Sequence, residues 1–150
     1  TEKLNDSKDF PRVEKLTGKL SKQWGAEGTV VIPTPLEVDE IMKNIPKGKL
    51  TVINDIRKVL AKRHKATISC PICTGIFATI SAHAAEEEIL IGKKNTTPYW
   101  RTLKAGGEIN PKYPGGVEDQ KKLLESEGHE VFQKGKKWLV FDFESKLVKL

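Results

Sequence analysis

Apolar positions along the chain recur with helical and strand periods, separated by proline- and glycine-rich breaks. Thr29-Val30-Val31-Ile32 is a short apolar run closed by Pro33, and it predicts a strand. A helix should begin directly after it. Thr34 can cap, Pro35 suits the first helical position, and Glu37 stands three residues past the cap. Leu36, Val38, Ile41, Met42 and Ile45 then mark an apolar stripe that ends at Pro46-Lys47-Gly48. Thr51 is the expected cap of a second helix to about Leu60, with Val52, Ile56, Val59 and Leu60 inward. Residues 66–85 contain no Asp, Glu, Lys or Arg. Ser69 as cap and Pro71 in the first turn predict a third helix to about Ala85. Its bulky side is Ile72, Ile76 and Ile80; its other side is small, with Thr74, Ala78, Ser81 and Ala85.

Past Glu86-Glu87-Glu88, the run Ile89-Leu90-Ile91 ends at Gly92, and a loop rich in Pro and Gly follows. Val117, Leu123 and Leu124 belong to a fourth helix stopped by Gly128. Residues Glu130–Gln133 and Lys137–Phe143 flank Lys134-Gly135-Lys136 as a β-hairpin, with Trp138, Phe141 and Phe143 as packing aromatics. Near the N-terminus, Lys15, Leu16, Lys19, Leu20 and Lys22 have the spacing of a short helix. The expected organisation is an N-terminal arm over 1–33, a central domain over 34–128 and a hairpin extension over 129–150.

With 150 residues the chain is one domain's worth, and no apolar stretch is long enough to span a membrane. The absence of an apolar leader-like stretch makes the cytoplasm the expected address. The net charge is +6, and its distribution changes the picture. Lys43, Lys47, Lys49, Arg57, Lys58, Lys62, Arg63 and Lys65 fall in one window against a single acid, Asp55. Lys93, Lys94, Arg101 and Lys104 fall in another that has none. Such clustering suits a solvated helix face or a phosphate-binding surface, since counterion release needs clustered cations.

Residues 34–57, with the Ile45-Pro46-Lys47-Gly48-Lys49 turn and the Asp55-Ile56 pair, resemble the first two helices of the DNA-binding domain of O6-alkylguanine-DNA alkyltransferases. Residues 113–128, YPGGVEDQKKLLESEG, resemble the same family's Tyr-x-Gly-Gly to Glu-Gly tail. The resemblance spans roughly residues 34–128 and implies an α+β, winged-helix-like helix-turn-helix domain that binds duplex DNA and flips a base. It places Lys47, Lys49, Thr51, Ile72, Thr74, Gly75 and Arg101 on the DNA face, and Tyr99, Trp100 and Tyr113 around a base pocket. The family's reactive Pro-Cys-His-Arg corresponds to Pro98-Tyr99-Trp100-Arg101. The acceptor is therefore a phenol with no adjacent histidine, a poor nucleophile beside an activated thiolate. Glu127 matches the acid that orients the family's histidine, Ile72 its intercalating arginine, and Ile53 its nucleotide-rotating tyrosine. The expected function is alkyltransferase-like: DNA binding without alkyl transfer, no cofactor, no metal, and a repair protein as a further partner.

Two alternatives remain open at this level. Cys70-Pro71-Ile72-Cys73 has the spacing of a redox pair, or of half a zinc site completed by His64 and His83. The same fold also suits a protein–protein module without a DNA role, given the acidic Glu86-Glu87-Glu88 run. The small face Thr74-Gly75-Ala78 fits close approach either to a DNA backbone or to another helix.

Overall fold

The computed structural model describes residues 10–16 and 28–150. Most of the short helix expected around Lys15–Lys22 lies outside them, and its first residue, Lys15, ends a strand instead. Strand β1 (Arg12–Lys15) runs antiparallel to β2 (Thr29–Ile32), pairing Val13 with Val31. β2 also pairs in parallel with β4 (Ile68–Ser69), so it is the centre of a three-stranded sheet. Val30 and Val31 are buried, which ties this part of the expected arm into the domain.

Helix α1 (Pro35–Lys43) begins as the sequence predicts. Thr34 Oγ1 accepts the Glu37 N–H at 3.1 Å, and the Glu37 carboxylate accepts the Thr34 N–H at 2.9 Å. Val38, Ile41 and Met42 are buried, whereas Leu36 remains exposed. Helix α2 (Ile53–Arg63) departs from expectation at its start: Val52 occupies the cap with no side-chain hydrogen bond. Thr51 does not cap, because it lies in the two-residue strand β3 (Thr51–Val52). β3 pairs in parallel with β5 (Thr102–Leu103), an element too short to leave a sequence period. Here the tertiary pairing overrides the local capping preference.

Helix α3 (Pro71–Leu90) is capped by Cys70 rather than Ser69, which ends β4. It continues through Glu86-Glu87-Glu88, about five residues past the expected stop. Its small face is the buried one: Thr74, Ala78, Ser81, Ala82 and Ala85 turn inward. Short side chains let α1 approach closely, and Asp39 on α1 fastens the contact. The Asp39 carboxylate accepts from Ser81 Oγ at 2.5 Å and from Thr97 Oγ1 at 2.7 Å. One core joins Val38, Ile41 and Met42 of α1, Ile56 and Leu60 of α2, the alanines of α3, and Tyr99 and Tyr113. Helix α4 (Gly116–Ser126) closes a second core of Leu50, Val52, Leu103, Ile109, Leu124 and Val140.

The hairpin β6 (Val131–Lys134) and β7 (Lys137–Val140) forms where the sequence places it. It is joined to the domain through a bridge of Glu108 with Leu139, and the segment after it through a bridge of Leu50 with Leu147. Phe143 packs against the second core and occupies the place a Cβ at Gly107 would need, so only glycine fits there at φ +82°. Phe141, expected to pack, is 60% exposed instead. Among the described residues no helix is long and apolar enough to cross a membrane.

The capping box gives a direct stability test. Thr34→Ala should lower unfolding free energy by about 1 kcal/mol in urea denaturation. An unchanged midpoint would show that the Glu37 bond to the backbone suffices alone.

Candidate nucleic-acid interface

Among the described residues, none covers the bulky face of α3 at Ile72 and Ile76. Ile72 is 66% exposed and Ile76 is 53% exposed. Together with Ile80 and Gly75 they form one wall of a cavity of about 610 Å³. Ile53, at the start of α2, Leu103, the last residue of β5, and Tyr113, in the loop before α4, close its other sides. Two cations, Lys104 and Lys112, are on the lining and no acid is. The volume falls within the roughly 300–1,000 Å³ of small-molecule and cofactor sites. Gln120, fully buried, braces this wall by accepting the Asn110 N–H at 3.0 Å and donating to the Trp100 carbonyl at 3.2 Å.

The other expected site residues are distributed differently. Lys47 and Lys49 are exposed in the turn after α1. Thr51 is fully buried in β3, so it cannot meet DNA. Thr74 is also fully buried, its hydroxyl donating to the Cys70 carbonyl at 2.6 Å and lying 2.9 Å from Ser69 Oγ. Its face of α3 packs against the domain rather than against a nucleic-acid backbone. Tyr99 is 1% exposed. Its ring stands edge-on to Trp100 at 5.3 Å and to Tyr113 at 5.6 Å, behind the cavity wall. Trp100 is half-buried and packs against both cores. Of the three aromatics expected to line a base pocket, Tyr113 alone is on the cavity. Burial, reinforced by Glu86 and Asp119, pushes the Tyr99 phenol up to about 12.

Arg101, expected on the DNA face, points into the domain. Its side chain is 13% exposed and that of Glu127 is 5% exposed. Nη2 donates to Glu127 Oε2 at 2.6 Å, Nε to Oε1 at 2.9 Å, and Nη1 to the Ile45 carbonyl at 2.7 Å. Burial raises the Glu127 pKa, but the hydrogen bonds and charge of Arg101 outweigh it and hold the carboxyl below its usual range. The acid matched to a histidine-orienting role thus has a structural partner two residues past Tyr99.

The zinc set is not assembled. His64 Nε2 donates to Glu37 Oε1 at 2.5 Å, and His83 Nε2 to the Lys112 carbonyl at 3.0 Å. No three His, Cys, Asp or Glu among the described residues are placed to hold a metal ion. The basic window is also thinner than its composition suggests. Arg57 Nε donates to the Ser69 carbonyl at 3.0 Å, and Arg63 stands 3.6 Å from Glu37. Sequence reasoning missed Ile76, Ile80, Lys104 and Lys112 as lining residues. The signal was available in α3, where one side is too small and tightly packed to leave the isoleucines anywhere but outside.

A crystal structure of S. pombe Atl1 in complex with damaged DNA containing O6-carboxymethylguanine has a similar backbone. The TM-score is 0.52 at 20% identity, over 77% of this chain and 94% of that one. The fold is that of an alkyltransferase-like protein. A structure of S. pombe ATL in complex with DNA matches the alkyltransferase-like fold equally, with TM-score 0.52 and 19% identity over the same shares. No protein-family model and no curated protein matches the chain by sequence.

The Arg101–Glu127 pair should behave as a buried charge pair. Arg101→Ala strands the Glu127 carboxylate and is expected to cost about 3–5 kcal/mol in denaturant unfolding. Because the Glu127 pKa is lowered on folding, its stabilisation is complete above the unfolded carboxylate pKa. It is lost as pH falls through the folded value. Wild type should therefore lose stability in acid more steeply than Glu127→Gln, which differential scanning at a series of pH values would show.

Proposed function

We propose that this chain binds duplex DNA and holds an alkylated base, extruded from the stack, in the cavity beside α3, without accepting the alkyl group. The observation that carries this reading is the cavity itself. A solvent-exposed isoleucine wall with two lysines and no acid occurs on a fold whose S. pombe counterparts are seen with DNA. Flipping costs a few kcal/mol of unstacking, which an apolar pocket and a wedge offset. Ile72, where the resembled family carries arginine, supplies an apolar wedge of the kind minor-groove binders insert between base steps. Lys47 and Lys49 supply phosphate contacts from the turn after α1, and Gly75 gives α3 a flat patch for close approach.

The absence of transfer follows from chemistry. Tyr99 stands at the acceptor position as a sealed phenol, ionising at about 12, with Trp100 where a base would be needed. Cys70 and Cys73 belong to the start of α3 and not to the Pro98–Arg101 stretch that matches the reactive motif. A bound lesion therefore stays chemically intact, and its removal falls to another repair protein. The exposed Ile89, Leu90 and Ile91 at the far end of α3 offer that partner an apolar contact roughly 27 Å along the helix from Ile72.

Fluorescence anisotropy with plain and O6-methylguanine duplexes at several salt concentrations tests this. Contact with about five phosphates predicts log K falling with log[salt] at a slope of roughly −4 to −5. Lys47→Ala/Lys49→Ala should make that slope shallower by roughly 2 on both duplexes. Ile72→Ala should weaken the lesion duplex more than the plain one. No measurable affinity for either duplex at low salt would favour a protein-binding module. An alkyl group found on any side chain by mass spectrometry would overturn the non-catalytic part.

A further inference from the structure

Cys70 and Cys73 take no part in the DNA-binding reading. They occupy the cap and the third helical position of α3. An N-cap side chain reaches over that same interval to the N3 amide. The capping geometry therefore holds the Cys70 sulfur over the first turn, against the backbone of Cys73. Cys70 Sγ accepts the Cys73 N–H at 3.4 Å. Both are unbridged and half-exposed. Cationic groups surround them: Arg57, hydrogen-bonded to the Ser69 carbonyl, is within electrostatic reach of Cys70, and Arg12 of β1 is within reach of Cys73. The two sulfurs are not equivalent. Burial first, then the neighbouring Cys70, pushes the Cys73 thiol up to about 11. The Cys73 N–H donates to Cys70 Sγ, so attack on an external disulfide falls to Cys70, and resolution to Cys73.

We propose that Cys70 and Cys73 are a reversible dithiol–disulfide site at the start of α3, oxidised by low-molecular-weight disulfides of the glutathione class. Cys70, as thiolate, attacks one sulfur of the small disulfide. A Cys70–glutathione bond forms, and the first glutathione leaves as a thiolate that takes up a proton. Cys73 then gives up its proton and attacks Cys70 Sγ. The Cys70–Cys73 bond forms, and the second glutathione leaves. Two electrons pass from the protein dithiol to the small disulfide, which ends as two thiols. The new bond closes across Ile72, so the residue at the mouth of the cavity has its backbone fixed from both sides. The site itself does not depend on the chain binding DNA.

The test incubates the full chain with excess oxidised glutathione, blocks remaining thiols with a maleimide and reads intact mass. Wild type should lose two hydrogens, keep no glutathionyl group and take up no maleimide. Dithiothreitol should restore both thiols. Cys73→Ser should stop at a single glutathionyl adduct on Cys70. Cys70→Ser, which retains an oxygen cap on α3, should react at least about tenfold more slowly. A glutathionyl adduct that persists on wild type, linkage between two chains, or retention of both thiols would overturn the proposal. So would bond formation accompanied by loss of the helical circular dichroism signal.

Discussion

A single guanidinium organises the region around Tyr99. Arg101 joins the loop that carries Tyr99 to the residue that caps the C-terminus of α4, Glu127, and to the turn after α1, through the Ile45 carbonyl. Three segments distant in sequence are thereby held at hydrogen-bond length by one planar group. A lysine could not do this, since it lacks the fixed fork of donors. The cost of burying the two charges is offset only while both remain in place. Trp100 lies against the same guanidinium, with its ring 5.5 Å away, so the aromatic layer behind the cavity takes its position from that ion pair.

The second constraint is the size of the side chains on α3. Alanine, serine and threonine face inward because α1 comes close, and Asp39 rewards that closeness with two hydroxyl donors. The isoleucines are then forced to the outer side. An exposed apolar row is unfavourable in water at about 25 cal/mol per Å². Set in a concavity with lysines on its lining, it reads as a surface kept free for something that will cover it. Packing inside and availability outside are thus two results of one sequence pattern.

Much of this was legible in the sequence. The capping residues of α1, the four helices and the hairpin follow from period, proline and glycine. The match of residues 34–128 to a known order of motifs gave the fold. What could not be read were the features that long-range pairing creates. Thr51 looks like a helix cap until Thr102 pairs with it in a two-residue strand. Arg101 and Arg57 look like free cations in a basic window until buried acceptors claim them. Tyr99 looks like a pocket wall because its motif neighbour is reactive elsewhere, whereas Tyr113 and Trp100 box it into the core.

The sealing of Tyr99 has a consequence for substitution. A Tyr99→Cys change would remove a ring that packs edge-on against Trp100 and Tyr113 and leave a void among them. The same side chain that closes the core therefore decides what a single substitution at position 99 can introduce: a loss of packing comes before any gain of chemistry.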